Sequence, residues 1–391
     1  MPKILINAAA ITAAVLAVVA VAVASVAFRT HATPAAGPAR TSIAAATAAQ
    51  ASVAYPQTLP AGYGSITGLA ASASGDDAWY LAESRTRDTL FRYSAATRQL
   101  RAYQLPVSVA LRAGLYTPIA IEGADQAWIG INSSLVHVDG ATGQVTVTRL
   151  APPAIASAAR LPVIPAGAGY TASAFEGIQS MSMTANGTLY IARLFASALQ
   201  AYNTATGKTS SVALPAGSVI EGVGSDLAVG AGGAVTAVLA RPATGQVAIA
   251  ADTAGAWREV ATPGCAAQAV APGAAGPMLV GPSCAATVTT ATAKALATQN
   301  SRLTGTGVAL SATTEVLGTT TGAILVQGGA VTAVSLGHAS AAGLTLPPNA
   351  PVKSATTAPI TFALTAGADA SHVWFVPATG AGRQIGLLTI G

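Results

Sequence analysis

Four stretches of this chain repeat one short theme: Tyr93-Ser94-Ala95-Ala96-Thr97-Arg98-Gln99-Leu100, Val138-Asp139-Gly140-Ala141-Thr142-Gly143-Gln144-Val145, Tyr202-Asn203-Thr204-Ala205-Thr206-Gly207-Lys208 and Pro242-Ala243-Thr244-Gly245-Gln246-Val247. Each reads as the end of one strand, a tight turn with Gly (or Arg98) where φ must be positive, and a second alternating strand. The first three run on into Gln104-Leu105-Pro106, Leu150-Ala151-Pro152 and Ala213-Leu214-Pro215. Proline there ends a strand at a sheet edge, where no ladder donor is lost. Upstream of each hairpin the pattern predicts a short apolar strand with a bulky anchor. The anchors are Trp79, Trp128, Leu189, Val235, Met278, Ile324 and Trp374, spaced 49, 61, 46, 43, 46 and 50 residues apart. Seven units of roughly 46 residues, each of four short strands and none with a 3.6-residue apolar period, predict an all-β, seven-bladed β-propeller with four-stranded blades.

The last unit offers three strands, near 360–365, 372–377 and 384–390, and then the chain stops. Its fourth is expected from the other end. Residues 52–60 (Ser52-Val53-Ala54-Tyr55-Pro56-Gln57-Thr58-Leu59-Pro60) look like an outermost strand and end on Leu-Pro as the others do. Pairing of this strand with 384–390 would close the ring and cover an edge that otherwise templates aggregation. The propeller is therefore assigned to 52–391.

Ahead of it, 4–28 holds no charged residue and is bracketed by Lys3 and Arg29. As a helix this run would span about 37 Å, enough for a hydrocarbon core of about 30 Å. It is longer than the usual h-region of about 7–15 residues, yet Ala22-Val23-Ala24 and Ser25-Val26-Ala27 offer small-residue cleavage sites. Residues 1–28 are thus expected to be either a membrane anchor or an export signal. Residues 29–51, Ala/Thr/Pro-rich and without apolar period, are expected to be a flexible linker. Both alternatives place the rest outside the cytoplasm, with the membrane as a partner only through this segment.

The chain is 52% hydrophobic and only 8% charged, with 19 basic and 14 acidic residues and a net charge of +5. That excludes a disordered polyelectrolyte. Five surplus charges spread along the chain make no basic stripe, so nucleic acid is not an expected partner. Sheets stacked face to face bury most strand positions on both sides, which accounts for the hydrophobicity without embedding in a membrane. A monomer is expected.

Cys265 and Cys284 flank a segment that reads as a hairpin, 266–270 and 277–281 around a turn at 271–276. If the turn centres on Ala274-Ala275, facing residues have numbers that sum to 549, and those of the two cysteines do. A disulfide across the open end of the hairpin follows in an oxidising compartment.

The first unit runs Ala78-Trp79-Tyr80-Leu81-Ala82-Glu83, then Thr89-Leu90-Phe91-Arg92-Tyr93, the Ala-Thr turn and Tyr103-Gln104-Leu105-Pro106. It resembles repeats of the streptogramin (virginiamycin B) lyase-like propellers, which run as an aromatic "W-F-T-E" strand, an "I-G-R-I" strand, a "T-G" turn and a closing "Y-x-L-P". The related sugar-lactone lactonase propellers are similar at the same level. Units two and three match more loosely, and four to seven only in spacing. The resemblance implies the architecture and, in the lyases, a His acting with acidic residues and Mg²⁺ on the upper face. Here the four histidines are His31, His137, His338 and His372, and none stands with a Glu at matching positions.

Propeller ligands bind at the face formed by the connections between second and third strands and between blades. Those connections carry Glu83, Arg85, Arg87, Arg112, Asn132, Glu176, Arg193, Glu221 and Lys353. Glu176-Gly177 and Glu221-Gly222 occupy similar places in adjacent units; two converging carboxylates would bind a divalent cation, Ca²⁺ or Mg²⁺, or divide acid and base roles. The alternative is solvated ion pairs with Arg193 and Arg112. Asp76, Asp77, Asp125 and Asn186-Gly187 fall on the opposite face as turn formers. Trp79, Trp128 and Trp374 are expected between blades, and Trp257, outside their register, at the surface. No Ser-nucleophile elbow or phosphate loop is present. The expected function is an exported cell-envelope module that binds a small molecule or protein at the axial face without catalysis. The alternative is a metal-dependent lyase or lactonase acting on a small cyclic ester.

Overall fold

A computed structural model describes residues 51–391 except 107–116, 153–176, 221–226, 261–268, 337–362 and several shorter segments. Its strands form seven antiparallel sheets. Blade 1 consists, from the inside outwards, of Tyr63–Ala71, Asp77–Ser84, Thr89–Ser94 and Leu100–Gln104. Blade 2 is Ile119–Glu122, Gln126–Ile131, Ser134–Asp139 and Val145–Arg149; blade 3 is Ile178–Met183, Thr188–Arg193, Ala198–Asn203 and Thr209–Ala213. In blade 4 the inner strand is in two pieces, Val219–Ile220 and Leu227–Val229, both paired to Val235–Arg241, followed by Gln246–Thr253 and Ala256–Glu259. Blade 5 is Ala269–Ala271, Met278–Val280, Ala285–Thr289 and Thr292–Leu296. Blade 6 is Leu303–Ala309, Thr314–Thr319, Gly322–Gln327 and Ala330–Val334. Blade 7 is Ala363–Thr365, His372–Val376 and Gln384–Ile390, and its outer position is held by Ala51–Thr58, which pairs with the last strand from Ala51↔Ile390 to Thr58↔Gln384.

The inner strands touch in succession around the ring, that of blade 7 meeting that of blade 1. The core is divided to match. Among the described residues there are seven apolar clusters, one in each blade interface. Between blades 7 and 1, Trp374 and Ile385 meet Leu69, Tyr80 and Phe91; between 1 and 2, Trp79, Leu81 and Tyr103 meet Ala127, Ile129 and Val136. Trp79 and Trp374 are wholly buried and Trp128 nearly so, as the periodicity predicts. The second strands are therefore buried on both faces and read as continuous apolar runs, whereas the outer strands are largely exposed.

Within a sheet, small residues make room for large neighbours: Gly386 faces Phe375 on the adjacent strand of blade 7. A Cβ on Gly386 would lie 2.1 Å from the ring of Phe375, itself fully buried. The repeat turns have the predicted backbone: Arg98 (φ 56°), Gly143 (78°) and Gly207 (68°) are all left-handed. After the outer strands, Leu105, Leu150 and Leu214 are buried, and their N–H groups donate to the carbonyls of Asp88, Ser133 and Ser197, each just before a third strand. Leu59 does the same to Arg383 at 2.8 Å, so the Leu-Pro after Ala51–Thr58 is equivalent to the others.

Two sequence expectations require correction. Ile324, chosen as the sixth anchor, lies in the third strand of blade 6; the second is Thr314–Thr319. Trp257 is not a free surface residue: it packs against the blade 3–4 core, and its indole N–H donates to Ala213 O at 2.8 Å. The blade 5 hairpin has the predicted register, with Ala269↔Val280, Val270↔Leu279 and Ala271↔Met278. Cys265 and Cys284 lie outside the described residues, as do 1–50. Among the described residues no helix is long and apolar enough to cross a membrane.

Candidate functional site

The two faces of the ring are built differently. On the lower face, turns such as 72–76, 95–99, 123–125, 140–144, 184–187 and 204–208 join first to second and third to fourth strands. On the upper face the connections between blades include 105–118, 150–177 and 335–362. Short turns serve only to reverse the chain; long connections that start and end on one face are where proteins place binding groups.

Glu83, Asn132 and Arg193 all stand at the upper ends of second strands, in blades 1, 2 and 3. Glu83 is half-buried, and burial, with Asp88 nearby adding repulsion, holds its carboxyl above the ordinary carboxylate range. Asp88 is itself 2% exposed. Asn132 is left-handed (φ 52°), and its carbonyl accepts the N–H of Ile178 at 2.7 Å. Blade 3 repeats the device: Phe195 is left-handed (φ 56°), its N–H donates to Ile220 O, and Ile220 N–H donates to Ala196 O, both at 3.1 Å. In each case a turn of one blade is tied to the inner strand of the next, which fixes the mouth. A left-handed Phe, 8% exposed, is a rare and costly conformation held by its surroundings. Arg193 is 1% exposed, so it does not project into solvent.

The inner strands are irregular at this same end. The register shifts twice in blade 1, at Tyr63/Ile66 and Ile66/Gly68, and once each in blades 3 (Ile178/Ser180) and 6 (Leu303/Gly307). Bulges of this kind redirect side chains and concentrate beside binding sites. Beside them the Thr67 hydroxyl is buried and has no hydrogen-bond partner among the described residues, and Gln179 Nε2 donates to the Gly177 carbonyl.

Arg85, Arg112, Glu176, Glu221 and Lys353 lie outside the described residues. Among the described residues no group of three or more His, Cys, Asp or Glu side chains is arranged to hold a metal ion. His137 and His372 are both towards the lower face. His137 Nε2 bonds Gln126 Oε1 at 2.5 Å and its ring stacks on Trp128, whereas His372 opens its strand beside Ser371.

Sequence reasoning missed four arrangements. Asp88 carries no motif that would announce a buried carboxylate beside Glu83. Phe195 gives no hint of positive φ. On the lower face, Asp77 and Asp125 are more than turn formers: both pair with Arg92, Asp77 at 2.7 Å through Nε, and the guanidinium lies 5.1 Å from the centre of the Trp79 ring. Glu122 likewise accepts from Trp128 Nε1 (2.8 Å) and Thr204 Oγ1 (2.7 Å), joining blades 2 and 3. The only sequence cue was a charged residue in an otherwise apolar strand.

No protein-family model matches the chain, and no curated protein matches it in sequence. Solved structures do. The structure of streptogramin B lyase aligns over 87% of this chain and 98% of its own, with a TM-score of 0.57 and 13% identity. The WD40 repeats of RRP9 align over 87% and 100%, with 0.57 and 8%; YCF48 bound to D1 peptide aligns over 89% and 99%, with 0.52 and 10%. At these identities the likeness is one of fold. The chain is a seven-bladed β-propeller that shares its architecture with the streptogramin B lyase structure.

Proposed function

We propose that the chain is an exported cell-envelope module that binds a small molecule or a protein at its upper, axial face without catalysis. The carrying observation is the asymmetry of the ring: tight turns below, and above them long connections, left-handed Asn132 and Phe195, and the raised carboxyl of Glu83. A carboxyl held in an unfavourable ionisation state beside strained turns is a common mark of a binding site. Glu83 and Asn132 are the contacts assigned from the described residues. Arg85, Arg112, Glu176 and Glu221 join them by position along the chain, and Ca²⁺ or Mg²⁺ at Glu176 and Glu221 is the cation such a pair would take. Residues 1–28 anchor the monomer in the membrane or are removed on export, 29–51 tether it, and Ala51–Thr58 acts as the clasp of the ring.

The test is thermal-shift titration of the full chain with neutral oligosaccharides, small cyclic esters, Ca²⁺ and Mg²⁺. A ligand-induced rise in Tm is expected that Glu83→Gln or Asn132→Gly removes and the lower-face variant Asp139→Asn keeps. Mg²⁺-dependent opening of a cyclic ester would replace this reading by a lyase or lactonase. A response equal in all three variants sinks both. Fractionation of cells expressing the chain with and without 4–28 checks the location.

A further inference from the structure

Asn186-Gly187 is the only Asn-Gly pair in the sequence, and it stands in the lower-face turn between Ile178–Met183 and Thr188–Arg193. Ala185 and Asn186 are exposed there, above a buried Thr184. The Thr184 hydroxyl donates to Asn186 Oδ1, which draws electron density away from the side-chain carbonyl carbon. Gly187 has no side chain to shield that carbon from its own backbone nitrogen. The fold leaves little alternative to glycine at this place. Its φ is 78°, and a Cβ would lie 2.8 Å from Thr204 Oγ1 and 3.0 Å from Glu122 Oε1.

The same turn is part of the tie between blades 2 and 3. Gly187 O accepts the Thr204 N–H at 3.0 Å and lies 2.9 Å from the Thr204 hydroxyl. That hydroxyl also reaches Glu122 Oε1 of blade 2 at 2.7 Å, and the other oxygen of Glu122 takes the Trp128 indole N–H at 2.8 Å. The Glu122 carboxylate is thus held against the residue that follows Asn186. A negative charge gained at 186 would arrive beside one already in place.

We propose that Asn186 is a site of spontaneous deamidation whose product loosens the joint between blades 2 and 3. The Gly187 nitrogen, its proton lost to solvent, bonds to Asn186 Cγ; the Cγ–Nδ2 bond breaks and ammonia leaves, regaining a proton from solvent. Solvent water then opens the five-membered imide. Attack at Cγ yields an aspartate, and attack at the main-chain carbonyl yields an isoaspartate; nothing is oxidised or reduced. In the closed turn the Gly187 N–H donates to Thr184 O at 3.1 Å, so the reaction waits on the opening of one exposed turn. An isoaspartate lengthens the backbone of that tight turn by a methylene, which displaces Gly187 O from Thr204. Either product adds like charge next to Glu122. The site is on the lower face, so nothing here depends on the axial reading.

The experiment is storage of the folded full-length chain at physiological temperature and mildly alkaline pH, followed by peptide mapping and by enzymatic methylation of isoaspartate. The peptide holding Asn186 is expected to show the amide-to-acid mass gain at least tenfold faster than those holding Asn132 or Asn203. The gain should speed up as pH rises, because attack needs the deprotonated nitrogen. Stored protein should melt below fresh protein, and Asn186→Gln should show neither the mass gain nor the fall in Tm. Asn186→Asp should melt below wild type from the start, by less in a Glu122→Gln background. Conversion at Asn186 no faster than at Asn132, while the free peptide Thr-Ala-Asn-Gly-Thr converts, overturns the site. Conversion that leaves Tm unchanged overturns the loosening. Should Asn186→Gln fold poorly, wild type alone decides: a mass gain and a fall in Tm on different time courses overturn the proposal.

Discussion

Arg98 occupies a left-handed position (φ 56°) that the next two blades fill with Gly143 and Gly207. An L-residue there costs about 1–2 kcal/mol, of which glycine returns part through its freer unfolded chain. Arg98→Gly is expected to raise stability by roughly 0.5–1 kcal/mol in urea unfolding, with no change in fold. Glu83 poses the opposite case, a residue whose burial is unfavourable. Its folded carboxyl titrates above its ordinary value of 4.5, so the folded state holds the proton more tightly than the unfolded one. The resulting penalty is present above the folded pKa and fades as pH falls towards the ordinary value. Glu83→Gln should therefore melt above wild type at pH 7, and the gap should close as pH falls to about 4.5; a constant gap would show that charge is not its cause. The two residues differ in legibility. Arg98 could be read from alignment with its sister turns. The burial of Glu83 could not, because Asp88 and the blade packing that cause it follow no spacing.

The sheets were legible where their sequences repeat. Turn and Leu-Pro or Leu-Ala-Pro terminator recur through blades 1 to 3, tryptophan anchors mark blades 1, 2 and 7, and the hairpin of blade 5 has the register its symmetry predicts. Blade 6 misled because Thr314–Thr319 and Gly322–Gln327 are almost equally buried and neither holds an aromatic, so Ile324 looked like an anchor. Trp257 misled for a related reason: it belongs to an outer strand, where contact with another blade decides its burial. Arg92 shows the same limit, since its partner Asp125 is 33 residues away in a different blade. Two element-level outcomes follow from the packing. Gly386→Ala must push against the buried Phe375 ring and is expected to cost about 1–3 kcal/mol, seen as a lower urea midpoint. Deleting 51–58 would uncover the edge of Gln384–Ile390, and aggregation or a sharply lower Tm is expected by light scattering and calorimetry. A deletion that melts like wild type would deny this strand its role as clasp.

For the molecule as a whole, stability is shared among seven interfaces, each with its own apolar cluster, instead of residing in one central core. Loosening one interface leaves its neighbours packed, so the weakest junction governs. The register of blade 5 carries the expectation of a Cys265–Cys284 disulfide, which would close a loop of about 20 residues and contribute on the order of 3 kcal/mol. Intact mass after alkylation without reductant should show no free thiol in protein from the periplasm or medium, and replacing both cysteines by Ser should lower Tm. Alkylation of both would remove that contribution. Charge scarcity also acts at this scale. With few ionisable groups in the chain, the engagement of Arg92, Asp77, Asp125 and Glu122 on the lower face withdraws these four from recognition.

Ala51 is paired with Ile390, one residue from the end of the chain, beside the lower-face turns. The two ends of the ring thus meet side by side. Joining Gly391 to Ala51 through a few residues and opening the chain at the exposed turn Ala141–Thr142 would give a circular permutant with the same seven sheets. In it Ala51–Thr58 becomes a local hairpin partner of Gln384–Ile390 while Val145–Arg149 takes over as the strand that arrives from the other end, so contact order changes little and the permutant should refold at a rate close to that of the natural order.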